Sequence, residues 1–135
     1  HAGLVVANGI AWSPDARTLY FSDSFRGEAW QADWNEAEGT MGAPRSFADL
    51  GEAEGRPDGA QVDGTGRYWS AGVSAGALNV LAHNGTRQGR IALPCRAPTM
   101  CAFGAAGDLW VTSLVRPGWE PTALDGALFR LQVRR

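Results

Sequence analysis

Lysine is absent from this 135-residue chain, and arginine supplies all 12 basic residues. That substitution reads as a compositional bias of a GC-rich coding sequence and marks no site. Fourteen acidic residues leave a formal net charge of -2, so no basic surface announces a nucleic-acid partner. Histidine occurs twice, at His1 and His83, which is too few for a zinc site or for a Ser-His-Asp arrangement in the interior. Cysteine also occurs twice. Cys95 and Cys101 stand six apart, a spacing with no metal or redox motif, and the simplest expectation is two buried thiols. No apolar run approaches the ~20 residues that span a bilayer, which argues against a membrane partner. His1 to Val6 lack the pattern of a charged then apolar signal peptide, so a cytoplasmic location is expected. No Gly-rich phosphate loop opens a helix.

Glycine and proline, by contrast, are abundant at 18 and 7, and they punctuate the whole chain. Between them lie short runs rich in aromatic and β-branched residues, the pattern of an all-β protein. One unit recurs three times. Asn8-Gly9-Ile10-Ala11-Trp12 leads through a turn at Ser13 to Arg17 into Thr18-Leu19-Tyr20-Phe21-Ser22-Asp23. Asp58-Gly59-Ala60-Gln61-Val62 leads through Asp63 to Gly66 into Arg67-Tyr68-Trp69-Ser70-Ala71. Met100-Cys101-Ala102-Phe103 leads through Gly104 to Gly107 into Asp108-Leu109-Trp110-Val111-Thr112-Ser113. A strand-only unit recurring every ~40–50 residues is the mark of β-propeller blades.

Outer strands are expected at Glu28 to Trp34, Pro44 to Leu50, Ala77 to His83 and Gly89 to Leu93. After an irregular connector from Val115 to Asp125, Gly126 to Leu131 supplies the third strand of the last unit. His1 to Ala7 reads as the tail of a preceding blade. Residues 1–135 thus make one domain of about three antiparallel blades. Trp12, Leu19, Phe21, Val62, Trp69, Phe103, Leu109 and Val111 are expected to be buried. A propeller closes with 4–8 blades. The expectation is therefore a homodimer, or completion by an N-terminal half not included in this sequence.

Asn8 and Asp58 occupy the same place in successive units, at the entry to the innermost strand, 50 residues apart. Equivalent positions on successive blades converge on the axis. An amide oxygen and a carboxylate oxygen meeting there suit a hard cation such as Ca²⁺. Asn-Gly and Asp-Gly are also common turn dipeptides, and spacing alone favours that role. Ser13 to Tyr20 reads as a structural turn held by its own side chains. Asp23 reads as a solvated turn carboxylate, with an approach to the channel as the alternative. Glu36, Glu38, Glu52 and Glu54 read as solvated loop charges, and His83 as an exposed turn residue.

The run Asn8 to Asp15 with Thr18 to Ser24 resembles the strongest motif of the gluconolactonase/regucalcin family. Pro57-Asp58-Gly59 with Asp63, Gly66 and Tyr68 to Ala71 is similar to its next motif. Ile91 to Pro94, Pro98-Thr99, Phe103-Gly104 and Leu109 to Ser113 continue the match in order. The resemblance implies a six-bladed propeller that hydrolyses sugar lactones with a divalent metal at its centre: Ca²⁺ foremost, with Zn²⁺, Mg²⁺ or Mn²⁺ as alternatives. It implies Asn8 and Asp58 as metal ligands and Asp58 as the general base. The family's metal-binding Glu and its substrate-gripping Arg and Asn belong to the N-terminal half, so the chain matches only the C-terminal half of the pattern. The alternative function is a non-catalytic half-propeller acting as a scaffold or binding fragment.

Overall fold

A computed structural model describes residues 1–133 as three antiparallel sheets that follow one another along the chain. The first holds β1 (Ala7–Trp12), β2 (Thr18–Asp23) and β3 (Glu28–Asn35), with β4 (Thr40–Met41) and β5 (Arg45–Asp49) both paired to β3. The second is a four-stranded meander of β6 (Arg56–Val62), β7 (Tyr68–Val73), β8 (Ala77–Leu81) and β9 (Arg87–Ala92). The third holds β10 (Pro98–Phe103), β11 (Asp108–Ser113) and β12 (Leu128–Gln132). These are the expected blades, with the ends of the outer strands displaced by at most two residues. Residues 1–6 are not strand, and β1 begins at Ala7.

The innermost strands β1 and β10 lie on either side of β6, and the blades pack face to face. Between the first and second, Ala11, Tyr20 and Phe47 meet Ala60, Tyr68 and Leu81. The rings of Tyr20, Phe47 and Tyr68 lie 4.9–5.6 Å apart, Tyr20 and Tyr68 both edge-on to Phe47. Between the second and third, Trp69, Leu78 and Val80 meet Cys101, Leu109 and Val111. Trp69 stands edge-on to Phe103 at 5.4 Å. Both cysteines are buried and free, and burial pushes the Cys101 thiol up to about 12.

Leu19, Phe21, Trp69, Leu109 and Val111 are buried as expected, whereas Val62 and Phe103 are half-buried and Trp12 is 41% exposed. The exposure of Trp12 has a plain cause. Its counterpart in the third blade, Phe103, leans on Trp69 of the blade before it. Trp12 rests edge-on against Trp34 of its own blade, at 5.7 Å. Ile10 is exposed on the same face, and Trp110 and Leu128 on the far side of the third blade. The stack is therefore apolar at both ends.

Two acidic residues depart from the sequence expectation. Asp23 is fully buried, not solvated. Its carboxylate accepts the N–H groups of Val5, Val6, Phe25 and Arg26 at 2.8–3.4 Å, and these bonds outweigh burial and lower its pKa. Glu54 is also buried and pairs with Arg87 at 2.8 Å. The Ser13 turn, by contrast, is held as expected. Ser13 Oγ accepts the N–H of Thr18 at 2.9 Å and donates to Asp15 at 2.6 Å.

Asp63 holds the corresponding turn of the second blade. Burial opposes its charge. Donors from Thr65, Trp69 and Arg67 at 2.7–3.0 Å prevail and hold its pKa at about 2. A carboxylate depressed on folding stabilises above its ordinary pKa of 3.8 and loses that stabilisation as the pH falls toward 2. Asp63→Asn is expected to cost roughly 2 kcal/mol near pH 7, a cost that shrinks between pH 4 and pH 2. Urea unfolding of both proteins across that range checks it, and a pH-independent difference would contradict the assignment.

Candidate functional site

Counting back from the turn residues Ser13, Asp63 and Gly104 places Asn8, Asp58 and Thr99 at one equivalent position on β1, β6 and β10. The ladder registers agree, because the preceding residues Ala7, Pro57 and Pro98 pair with the equivalent Asp23, Gly72 and Ser113. In all three inner strands the register shifts by one residue at or just after this position. A bulge of this kind turns a side chain out of the regular pleat. Gly9, which follows Asn8, has a φ of 60°, a left-handed conformation that glycine adopts without strain.

The fold brings Asn8 and Asp58 into direct contact: Asn8 Nδ2 donates a short hydrogen bond to Asp58 Oδ1. The same amide nitrogen donates to Ser24 Oγ at 3.2 Å, and Ser24 Oγ in turn donates to the Pro57 carbonyl at 2.5 Å. Asn8 Oδ1 accepts the Gly9 N–H at 3.1 Å, and Tyr68 OH donates to the Gly9 carbonyl at 2.8 Å. Asn8 is therefore clamped between blades, with one neighbour from each. Burial raises the pKa of Asp58, and the Asn8 amide offsets only part of that rise. No ion pair among the described residues involves Asp58. A half-buried carboxylate without a cationic partner, touching an amide, is a donor set that fits a hard cation. A half-turn of the Asn8 amide would present its oxygen at the position its nitrogen now holds.

Among the described residues, no three His, Cys, Asp or Glu side chains cluster as a metal site. Ser24 also lines a cleft of about 560 Å³ between the first two blades, with Phe25, Arg26, Arg56 and Ser74. That volume suits a small molecule. Thr99 escaped the sequence reading as a site residue because no glycine follows it; counting from the turns is the signal that finds it.

Comparison with known proteins shows the family and the fold. The family model described as the SMP-30/gluconolactonase/LRE-like region matches residues 1–115. The L-arabinolactonase of Azospirillum brasilense is 34% identical over 134 residues, covering 96% of this chain and 44% of the relative. The 6-deoxy-6-sulfogluconolactonase of Pseudomonas putida is 39% identical over 114 residues, covering 82% of this chain and 38% of the relative. A crystal structure of the calcium-binding protein regucalcin from Agrobacterium tumefaciens superposes with a TM-score of 0.87 at 28% identity, covering 96% of this chain and 46% of that one. The chain spans less than half the length of each.

Proposed function

The chain belongs to the SMP-30/gluconolactonase/LRE-like family, and on that premise we propose that it carries the Asn8–Asp58 part of a divalent-metal site that hydrolyses sugar lactones. The observation that carries this reading is the contact between Asn8 and a half-buried Asp58 with no cationic partner among the described residues. The names of the lactonase relatives favour the substrate class, and the regucalcin structure favours Ca²⁺ over Mg²⁺, Mn²⁺ or Zn²⁺.

Asn8 and Asp58 would hold the cation through their side-chain oxygens. When bound, the cation polarises the lactone carbonyl and lowers the pKa of bound water. Asp58 takes the proton from the attacking water. The water oxygen joins the carbonyl carbon, the ring C–O bond breaks, and the ring oxygen leaves protonated as a hydroxyl. Ser24 Oγ, beside the Asn8 amide, fixes it while this occurs. The remaining ligands come from the part of the family-length relatives that this chain does not span, or from a second copy.

The test is hydrolysis of five- and six-carbon aldonolactones, followed by acid release. It uses the chain alone and the chain joined to the uncovered portion of the Azospirillum brasilense relative. At least one form is expected to turn over a lactone with added Ca²⁺ or another divalent cation and to fall to background with chelator. Absence of hydrolysis in every form and metal, or a rate indifferent to chelation, would contradict the reading and leave a non-catalytic scaffold.

A further inference from the structure

We propose that Thr99 is the third side chain of the site and that its hydroxyl binds a ring or side-chain hydroxyl of the sugar lactone. This rests on the lactonase reading above and names a residue that recognises the polyol. Thr99 stands on β10 where Asn8 stands on β1 and Asp58 on β6, at the same one-residue register break. The strand carrying it lies directly against Gly59, the residue after Asp58: a side-chain carbon placed on Gly59 would come within 2.6 Å of the Thr99 carbonyl oxygen. Blade geometry and strand contact both bring Thr99 to the rim where Asn8 and Asp58 meet.

Its chemistry differs from theirs. Thr99 Oγ1 lies 2.8 Å from Thr112 Oγ1 on the adjacent strand, and either oxygen can be the donor. Whichever donates, the pair retains one O–H and several lone pairs for a ligand. Such a pair both gives and accepts a hydrogen bond, which matches a neutral alcohol. It brings no charge to a cation and no base to the reaction. Thr112 fixes the rotamer, so the hydroxyl is set in place before the sugar arrives.

The experiment compares Thr99→Val and Thr99→Ser with the parent protein in a form that hydrolyses a lactone. The readouts are KM and kcat for glucono-1,5-lactone, and the Kd for sorbitol, a polyol that cannot be hydrolysed, by NMR titration. Thr99→Val is expected to raise KM and Kd roughly three- to tenfold, the worth of one neutral hydrogen bond, with kcat little changed. Thr99→Ser, which keeps the hydroxyl, is expected to stay close to the parent. Unchanged KM and Kd in Thr99→Val, or equal losses in both variants, would overturn the assignment while leaving the lactonase reading intact. A parent protein that neither binds sorbitol nor hydrolyses any lactone would overturn both.

Discussion

Asp58→Ala lowers kcat/KM for lactone hydrolysis by about 10²–10⁴-fold in a protein whose site is complete, the range for removing a positioned general base. The loss is expected to resist added metal, because the variant removes a ligand and the base together. Asn8→Ala behaves differently. It deletes an oxygen donor and the partner of Asp58 but no proton acceptor. Its main effect is weaker metal affinity, so excess cation restores part of the rate. The two variants thus separate ligation from base catalysis, and metal titration of the rate distinguishes them. Full activity in Asp58→Ala would remove the residue from the mechanism. Identical, unrescued losses in both variants would leave no reason to assign the base to Asp58 alone.

Leu78→Ala is expected to cost about 2–5 kcal/mol, a large share of the ~5–15 kcal/mol that holds a domain together. Leu78 is fully buried on β8, in the cluster where Trp69 and Val80 of the second blade meet Cys101, Leu109 and Val111 of the third. Truncation leaves a cavity in the seam between two sheets, where neither sheet can close it alone. Leu128, of the same residue type, is 62% exposed on the outer face of the third blade. Leu128→Ala is expected to fall within about 0.5 kcal/mol of the parent. Equilibrium urea unfolding measures both. Equal costs at the two positions would contradict the blade-on-blade core.

The repeated strand–turn–strand unit was legible because each half carries its own local signal: Gly and polar residues at the turn, and an aromatic or β-branched run on either side. The pairing of Asn8 with Asp58 was legible for the same reason, since equal places in a repeat become neighbours in space. Burial was less legible, because it depends on what lies across a face. Trp12 and Phe103 are equivalent in sequence, yet Phe103 leans on Trp69 of the second blade while Trp12 is exposed. Asp23 was misread because its donors include the Val5 and Val6 N–H groups, 17 and 18 residues away, which no local pattern announces. Glu54 was misread likewise, since its partner Arg87 comes from the last strand of the second blade. Thr99 shares its position with Asn8 and Asp58 but not their glycine, and the turns, not the dipeptides, carry its register.

In the proposed site, Asn8 and Asp58 direct oxygen atoms at one divalent cation. Anomalous diffraction from crystals grown with Mn²⁺, using the chain joined to the uncovered portion of its Azospirillum brasilense relative, tests it most directly. One anomalous peak is expected within bonding distance of oxygens from both side chains, about 2.0–2.6 Å for hard cations, and no peak there in Asp58→Ala. A peak bound elsewhere, or a persistent Asn8–Asp58 hydrogen bond with no metal at saturating Mn²⁺, would contradict it.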